Sequence, residues 1–157
     1  MKELIDFLIT AKKNTYANGK ALRVEPSRQG SKDYHYEGEL DGKKAIYHDT
    51  YFGAKSFIGE EVVYIDSQKP IWGMNYYSHC LNQDLYDDAM KVLRSALMLV
   101  GEDNSVLPLR GPSHYQSGDF TYTFESSGSM ENFTGIEKIY KNGQLIYSLN
   151  CQGGEIN

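Results

Sequence analysis

The chain has 157 residues and a formal net charge of −5: long enough for one self-sufficient core, and too acidic for non-specific nucleic-acid binding, which needs clustered Lys and Arg. Cys80 and Cys151 have no CxxC or histidine-spaced companion, so neither a disulfide framework nor a zinc site is indicated, and both read as buried or half-buried free thiols. No run of roughly 18 apolar residues exists to span a membrane, and MKELIDFLITAKK has acidic residues inside its apolar stretch and no small-residue cleavage site, so the cytoplasm is the default compartment.

Residues 1–157 read as a single domain. Thirteen tyrosines stand against six Phe and one Trp; tyrosine suits recognition surfaces and strands alike, so composition alone does not separate the two uses. Leu4, Ile5, Leu8 and Ile9 predict an amphipathic helix from Lys2 to about Lys13, ending near Asn14–Gly19. ALRVEPSRQGS (Ala21–Ser31) reads as a loop in which Arg28 sits among small hydrogen-bonding residues, offering backbone N–H groups as an anion cradle would, or simply a solvated arginine. It is not a phosphate-binding P-loop, since GxxxxGK[ST] is absent.

Four alternating runs follow: Asp33–Leu40, Lys43–Phe52, Ser56–Ile65 and Pro70–Tyr77, separated by the type I′ signal Asp41-Gly42 and by turn chemistry at Gly53–Lys55 and Asp66–Lys69. Gln83 to about Val100 carries a continuous apolar stripe with Asn82 or Asp84 as N-cap and Gly101 as stop, predicting one long structural helix. In LPLRGPSHY (Leu107–Tyr115), Pro108, Pro112 and Gly111 argue against regular structure and would display Arg110 and His114 on a stiffened turn. Three further strands are expected over Asp119–Glu125, Glu131–Tyr140 and Gln144–Gln152, the first two joined by a Ser126–Ser129 turn and the last two by the hairpin signal Asn142-Gly143. The fold class is therefore α+β: a bent antiparallel sheet of about seven strands, a partly closed barrel being one way to arrange it, packed by an N-terminal helix and one long helix.

A short hairpin loop sets the pairing register, and with it the faces of the sheet. Pairing Phe52 with Phe57 sets His48 against Glu61 and Asp49 against Glu60; pairing Ile65 with Pro70 sets Glu61 against Met74 and Glu60 against Asn75. One face then carries a polar row, Asp49–Glu60–Asn75, framed by Tyr47, Tyr51 and Tyr77. Directly opposed like charges are destabilising without a cation, a shared proton or a ligand donor. The row is either the wet face of a sheet or a ligand platform. The candidate ligand-binding set is Arg28, Tyr47, Asp49, Tyr51, Glu60, Asn75, Tyr77 and Arg110.

Catalytic fingerprints are missing: there is no GxSxG, HExxH, Walker or Rossmann pattern, and no cofactor or metal is implied. If the chain were an enzyme, its groups would be Asp49, Glu60, Glu61 and His48, with His48 oriented by Glu61 and Asp49–Glu60 acting as an acid/base pair or holding a divalent cation.

The segments TYANG (Thr15–Gly19), PSRQGSKDYHY (Pro26–Tyr36), YHDTYFG (Tyr47–Gly53), FIGEEVVY (Phe57–Tyr64), PIWGMNYY (Pro70–Tyr77), LRGP (Leu109–Pro112), FTGIEKIY (Phe133–Tyr140) and Gly153-Gly154 together resemble the bacterial domain-of-unknown-function family 5680. Members of that family stand alone or follow an XRE-type helix-turn-helix domain, which is not found in this sequence. By analogy the resemblance implies a sensory or ligand-binding module, and it transfers no catalytic residue. The expected function is non-enzymatic sensing or sequestration of a small polar ligand, such as a nucleotide-derived signal of the cyclic ADP-ribose isomer type, as in a phage counter-defence sponge. The alternatives are a hydrolase or lyase on a nucleotide or sugar through Asp49, Glu60 or Glu61, and a protein-interaction domain. No nucleic acid or membrane partner is expected, and exposed sheet edges make a homodimer a reasonable arrangement.

Overall fold

The computed structural model describes residues 1–66 and 68–157. Helix α1 (Lys2–Asn14) is followed by strands β1 (Lys32–Leu40), β2 (Lys43–Gly53), β3 (Ser56–Ile65) and β4 (Lys69–Cys80). A 3-10 turn (Gln83–Leu85) leads into α2 (Tyr86–Leu97), and β5 (His114–Ser117), β6 (Phe120–Ser129), β7 (Asn132–Lys141) and β8 (Gln144–Glu155) complete the chain. The strands form one antiparallel sheet of eight in the order β1-β2-β3-β4-β8-β7-β6-β5. This is the expected α+β fold with one strand more than anticipated. β1 and β5 are its two edges, so the sheet stays open instead of closing into a barrel.

Helix α1 forms because Leu4, Phe7, Leu8 and Ala11 recur at helical spacing and bury together against the sheet. The expected long second helix is shorter than predicted. Asn82 caps a 3-10 turn by accepting from the Asp84 N–H, and the α-helix proper begins at Tyr86 and ends at Leu97. Its stripe, Ala89, Met90, Val92, Leu93, Ala96 and Leu97, is buried as the pattern required. Among the described residues no helix is long and apolar enough to cross a membrane.

Hairpin chemistry explains most strand boundaries. Asp41-Gly42 and Asn142-Gly143 both take positive φ at both positions, the type I′ geometry that matches strand twist. The turn after β3 begins with Asp66 at φ 52; the expected turn Asp66–Lys69 includes Ser67, which lies outside the described residues. Ser126–Ser129 is not a turn but the end of β6, and the chain reverses at Met130–Glu131, since Ser129 pairs with Asn132. His114 and Tyr115 lie in the edge strand β5, not in a loop.

The β2–β3 register departs from expectation by one residue. Gly53 adopts φ 98 and pairs with Phe57, which shortens the loop to three residues. Asp49 therefore faces Glu61, Thr50 faces Glu60 and His48 faces Val62. Because side chains alternate, this slip moves every β2 residue to the other face relative to β3. The expected row Asp49–Glu60–Asn75 is not formed, and His48 does not meet Glu61. The β3–β4 pairs Glu60–Asn75 and Glu61–Met74 are as expected, although a bulge at Val63/Tyr64 sets Ile65 against Lys69 and Tyr64 against Pro70.

The inner face, covered by the helices, holds Tyr47, Val63, Trp72, Met74, Tyr76, Phe124, Phe133 and Leu149, all buried. Gly153 belongs to this packing: a Cβ there would run into the carbonyl oxygen of Gly73 and the Phe133 ring. Gly153→Ala is expected to cost about 1–3 kcal/mol through overpacking, read as a lower urea midpoint with an unchanged slope.

Candidate functional site

The two faces of the sheet present two very different polar regions. On the inner face, α1 brings Lys12 onto Glu61 in a buried ion pair, with the Lys12 ammonium 5.8 Å from the centroid of the Tyr47 ring. From the loop before β5, Arg110 donates two hydrogen bonds of 2.9 Å to the Glu137 carboxylate, which also accepts from Tyr122 Oη at 2.7 Å and Tyr147 Oη at 3.3 Å. Such bidentate, fully desolvated pairing satisfies both partners. Asp49 is the fifth charge-bearing group and has no ion-pair partner among the described residues; it accepts a hydrogen bond of 2.6 Å from Tyr76 Oη. Burial, reinforced by the facing Glu61 carboxylate, raises its pKa to about 7. Burial pushes the Tyr47 and Tyr76 hydroxyls well above their usual range as well, aided by the same carboxylates.

The space among Lys12, Tyr47, Asp49, Tyr76 and Arg110 measures about 30 Å³. That admits a water or two and nothing larger. The inner cluster is thus a neutralised polar core: two ion pairs and one carboxyl that readily stays protonated.

On the outer face a polar row crosses seven strands: Asp33, Thr50, Glu60, Asn75, Gln152, Thr134 and Ser127, each paired with the next. Beside it runs a second row, Phe52, Ile58, Tyr77, Asn150 and Ile136. Ile58 is 57% exposed and Tyr77 51%, unusual for adjacent apolar and aromatic residues of a strand. Arg28 reaches over from the 21–31 loop, its guanidinium 5.1 Å from the Phe52 ring centroid and 2.9 Å from Glu60 Oε1. Between the two rows lies an open groove of about 560 Å³ bordered by Arg28, Phe52, Glu60, Asn75, Tyr77 and Gln152. Its size falls in the range of small-molecule sites.

The loop that carries Arg28 is held by one carboxylate. Asp33 accepts from the Ser27 N–H at 3.2 Å, Ser31 Oγ at 2.5 Å and His48 Nε2 at 2.7 Å. Burial by itself would raise its pKa, but these hydrogen bonds outweigh it and hold the carboxyl down at about 2. The anion cradle read from PSRQGS is therefore filled by the chain's own Asp33, and Arg28 is the part of the loop left to reach outward.

Residues 49–156 match the model of a domain of unknown function (DUF5680), more than half of the chain. The chain belongs to this family. Comparison with curated proteins and with solved structures finds no match. Within this DUF5680 chain the matched segment contains the groove residues from Phe52 to Gln152 and the whole of the Arg110–Glu137 pair, whereas Lys12, Arg28 and Asp33 precede it.

The eight sequence-derived site residues divide between the two regions. Arg28, Glu60, Asn75 and Tyr77 come together at the groove. Tyr47, Asp49, Tyr51 and Arg110 lie on the inner face, all buried, and Arg110 points inward instead of standing on display. Of the four groups considered for catalysis, Asp49 and Glu61 are inside, Glu60 and His48 outside, so the sheet itself separates them. Lys12, Glu137, Phe52 and Gln152 join these regions without having stood out in the sequence. Glu137 had a legible signal, since it occupies the apolar parity of FTGIEKIY with Phe133, Gly135 and Ile139. Lys12 likewise sits on the α1 stripe one turn beyond Leu8.

Proposed function

We propose that this DUF5680 domain binds a small polar ligand with a planar ring in the outer-face groove, without turning it over, and serves in sensing or sequestering that ligand. The observation that carries this reading is the side-by-side arrangement of a polar row and an aromatic row under Arg28. Phe52 and Tyr77 offer ring faces for stacking, Asn75 and Gln152 offer amide donors and acceptors for a ring edge, and the half-exposed Arg28 guanidinium keeps donors for an anionic group. A nucleotide-derived signal, such as a cyclic ADP-ribose isomer, has all three of these features. Sequestration of such a signal in a bacterial cytoplasm, as a phage counter-defence sponge does, is the role we favour.

The test is native mass spectrometry of the purified protein with cyclic ADP-ribose isomers and related nucleotides, followed by denaturation and analysis of what is released. We expect one ligand per chain, returned chemically intact, and affinity reduced about tenfold or more in Tyr77→Ala, the usual worth of a stacking side chain. Recovery of an altered product in excess of one equivalent would overturn the reading.

The enzyme alternative draws support from one observation, the opposed Asp49 and Glu61 carboxylates with Asp49 titrating near neutrality. Turnover abolished by Asp49→Asn would favour it; the water-sized space around that pair is what weighs against it.

A further inference from the structure

The outer groove holds one charge of each sign. Among the described residues that border it, Arg28 and Glu60 are the charged side chains; the others are apolar, amide, phenol or thiol. The two bond to each other through one contact, Arg28 Nη2 to Glu60 Oε1 at 2.9 Å, and their side chains are 50% and 47% exposed. An ion pair this open to solvent is held weakly. It also leaves capacity unused, since a guanidinium has several further N–H donors in its fork and Glu60 keeps Oε2.

The aromatic row shows where each charge of a ligand belongs. The Arg28 guanidinium lies 5.1 Å from the centroid of Phe52, so that ring already has its cation. Tyr77, two strands away in the same row, is 51% exposed and has no cation over its ring among the described residues. Glu60 pairs with Asn75, and Ile58 with Tyr77. Glu60 and Tyr77 are therefore diagonal neighbours on one face, a spacing that long and aromatic side chains span. A half-exposed carboxylate beside a bare tyrosine ring attracts a cation, by charge from the one and by the ring quadrupole from the other. The open N–H groups of Arg28 are donors for an anion.

The same closeness penalises a ligand with a single charge. An anion on Arg28 lies close to the Glu60 carboxylate, and a cation at Glu60 lies close to the guanidinium; in either case like charges repel. In a ligand that carries both charges, each offsets the repulsion met by the other.

We propose that the groove selects a zwitterionic aromatic: a planar heterocycle with a positive charge, such as a pyridine or nucleobase alkylated at a ring nitrogen, joined to an acidic group. The cationic ring lies on Tyr77 with its charge toward Glu60, and the acidic group takes the open donors of Arg28. This rests on the groove being the ligand site proposed above, and adds the charge type of the ligand.

Nicotinamide mononucleotide carries a pyridinium and a phosphate. Its dihydro form keeps the phosphate with an uncharged ring, and nicotinamide riboside keeps the pyridinium without the phosphate. Calorimetric titration with these three, and with AMP as a nucleotide of neutral ring, is the test. Nicotinamide mononucleotide is expected to bind roughly tenfold tighter than its dihydro form or the riboside, from a cation on an exposed ring and a compensated charge. Glu60→Gln keeps the size of the side chain and an oxygen for Arg28 at a half-exposed position, so its melting temperature should stay near that of the parent. In this variant the preference over the dihydro form should vanish, and the dihydro form should bind more tightly than it does to the parent, because its phosphate no longer competes with a carboxylate for Arg28. Equal affinity for nicotinamide mononucleotide and its dihydro form in the parent, a preference that survives Glu60→Gln, or no binding of the three overturns the zwitterion. In each of those cases, binding of any of the four probes that Tyr77→Ala weakens leaves the groove reading standing, and no binding by any of them takes both down. The expected preference with a chemically altered ligand recovered supports the zwitterion and overturns binding without turnover.

Discussion

Arg110→Met is expected to destabilise the protein by about 3–5 kcal/mol, a large part of the roughly 5–15 kcal/mol that holds a typical domain together. The reason is what stays behind. Glu137 is 0% exposed, and its carboxylate loses both guanidinium hydrogen bonds while keeping those from Tyr122 and Tyr147. An unpaired buried carboxylate must either remain charged in a poor medium or take up a proton. The loss should therefore shrink as pH falls. Adding Glu137→Gln removes the stranded charge yet retains an acceptor for Tyr122, so Arg110→Met/Glu137→Gln should recover most of the stability. Urea unfolding at neutral pH for the parent, both single variants and the double variant reads this directly. A cost below about 1 kcal/mol for Arg110→Met, the value of an exposed ion pair, would mean that the pair is not desolvated as described.

Asp49→Asn is expected to act in the opposite direction. In the folded chain the Asp49 carboxyl titrates at about 7, against an ordinary value of 3.8, so between those two pH values the folded chain binds a proton that the unfolded chain has released. Stability contributed by this group is fully present below about pH 4 and is lost as pH rises through about 7. A tenfold change in proton affinity is worth about 1.4 kcal/mol, so the loss is on the order of a few kcal/mol. Asparagine keeps an oxygen to accept from Tyr76 Oη and has no charge to set against Glu61. Asp49→Asn should accordingly melt higher than the parent at about pH 8, with the advantage vanishing near pH 4. A parent melting temperature that stays flat between about pH 4 and pH 8 would contradict a buried, protonated Asp49.

Periodicity and turn residues make the elements legible. The stripe of Leu4, Leu8 and Ala11 marks α1, and Asp41-Gly42 and Asn142-Gly143 mark hairpins, because these are local preferences that the chain expresses wherever it folds. Ser56–Ile65 is legible to the residue. β5 is not, because two prolines and a glycine dominate its approach, while its four residues owe their strand state to pairing with β6. Of the candidate site, the outer half is legible: Arg28, Glu60, Asn75 and Tyr77 do meet. They meet beside Thr50 and Phe52 and not beside Asp49 and Tyr51, since Gly53 pairs with Phe57 and turns β2 over by one residue.

By itself, then, the sequence determined the α+β class, the antiparallel strands and most of their turns, and the concentration of polar and aromatic residues in 47–77. Only the tertiary structure decided which face each of those residues serves. Alternation divides a strand's side chains into two sets, but which set is buried depends on the register of a three-residue loop and on which charges find partners from elsewhere in the chain. Lys12 reaches Glu61 from α1, and Arg110 reaches Glu137 across 27 positions of sequence. Those long-range pairings let Glu61 and Glu137 go inside, where Asp49 joins them on the Tyr76 hydroxyl, and leave Glu60, Asn75 and Tyr77 on the outer face, where we place the proposed ligand.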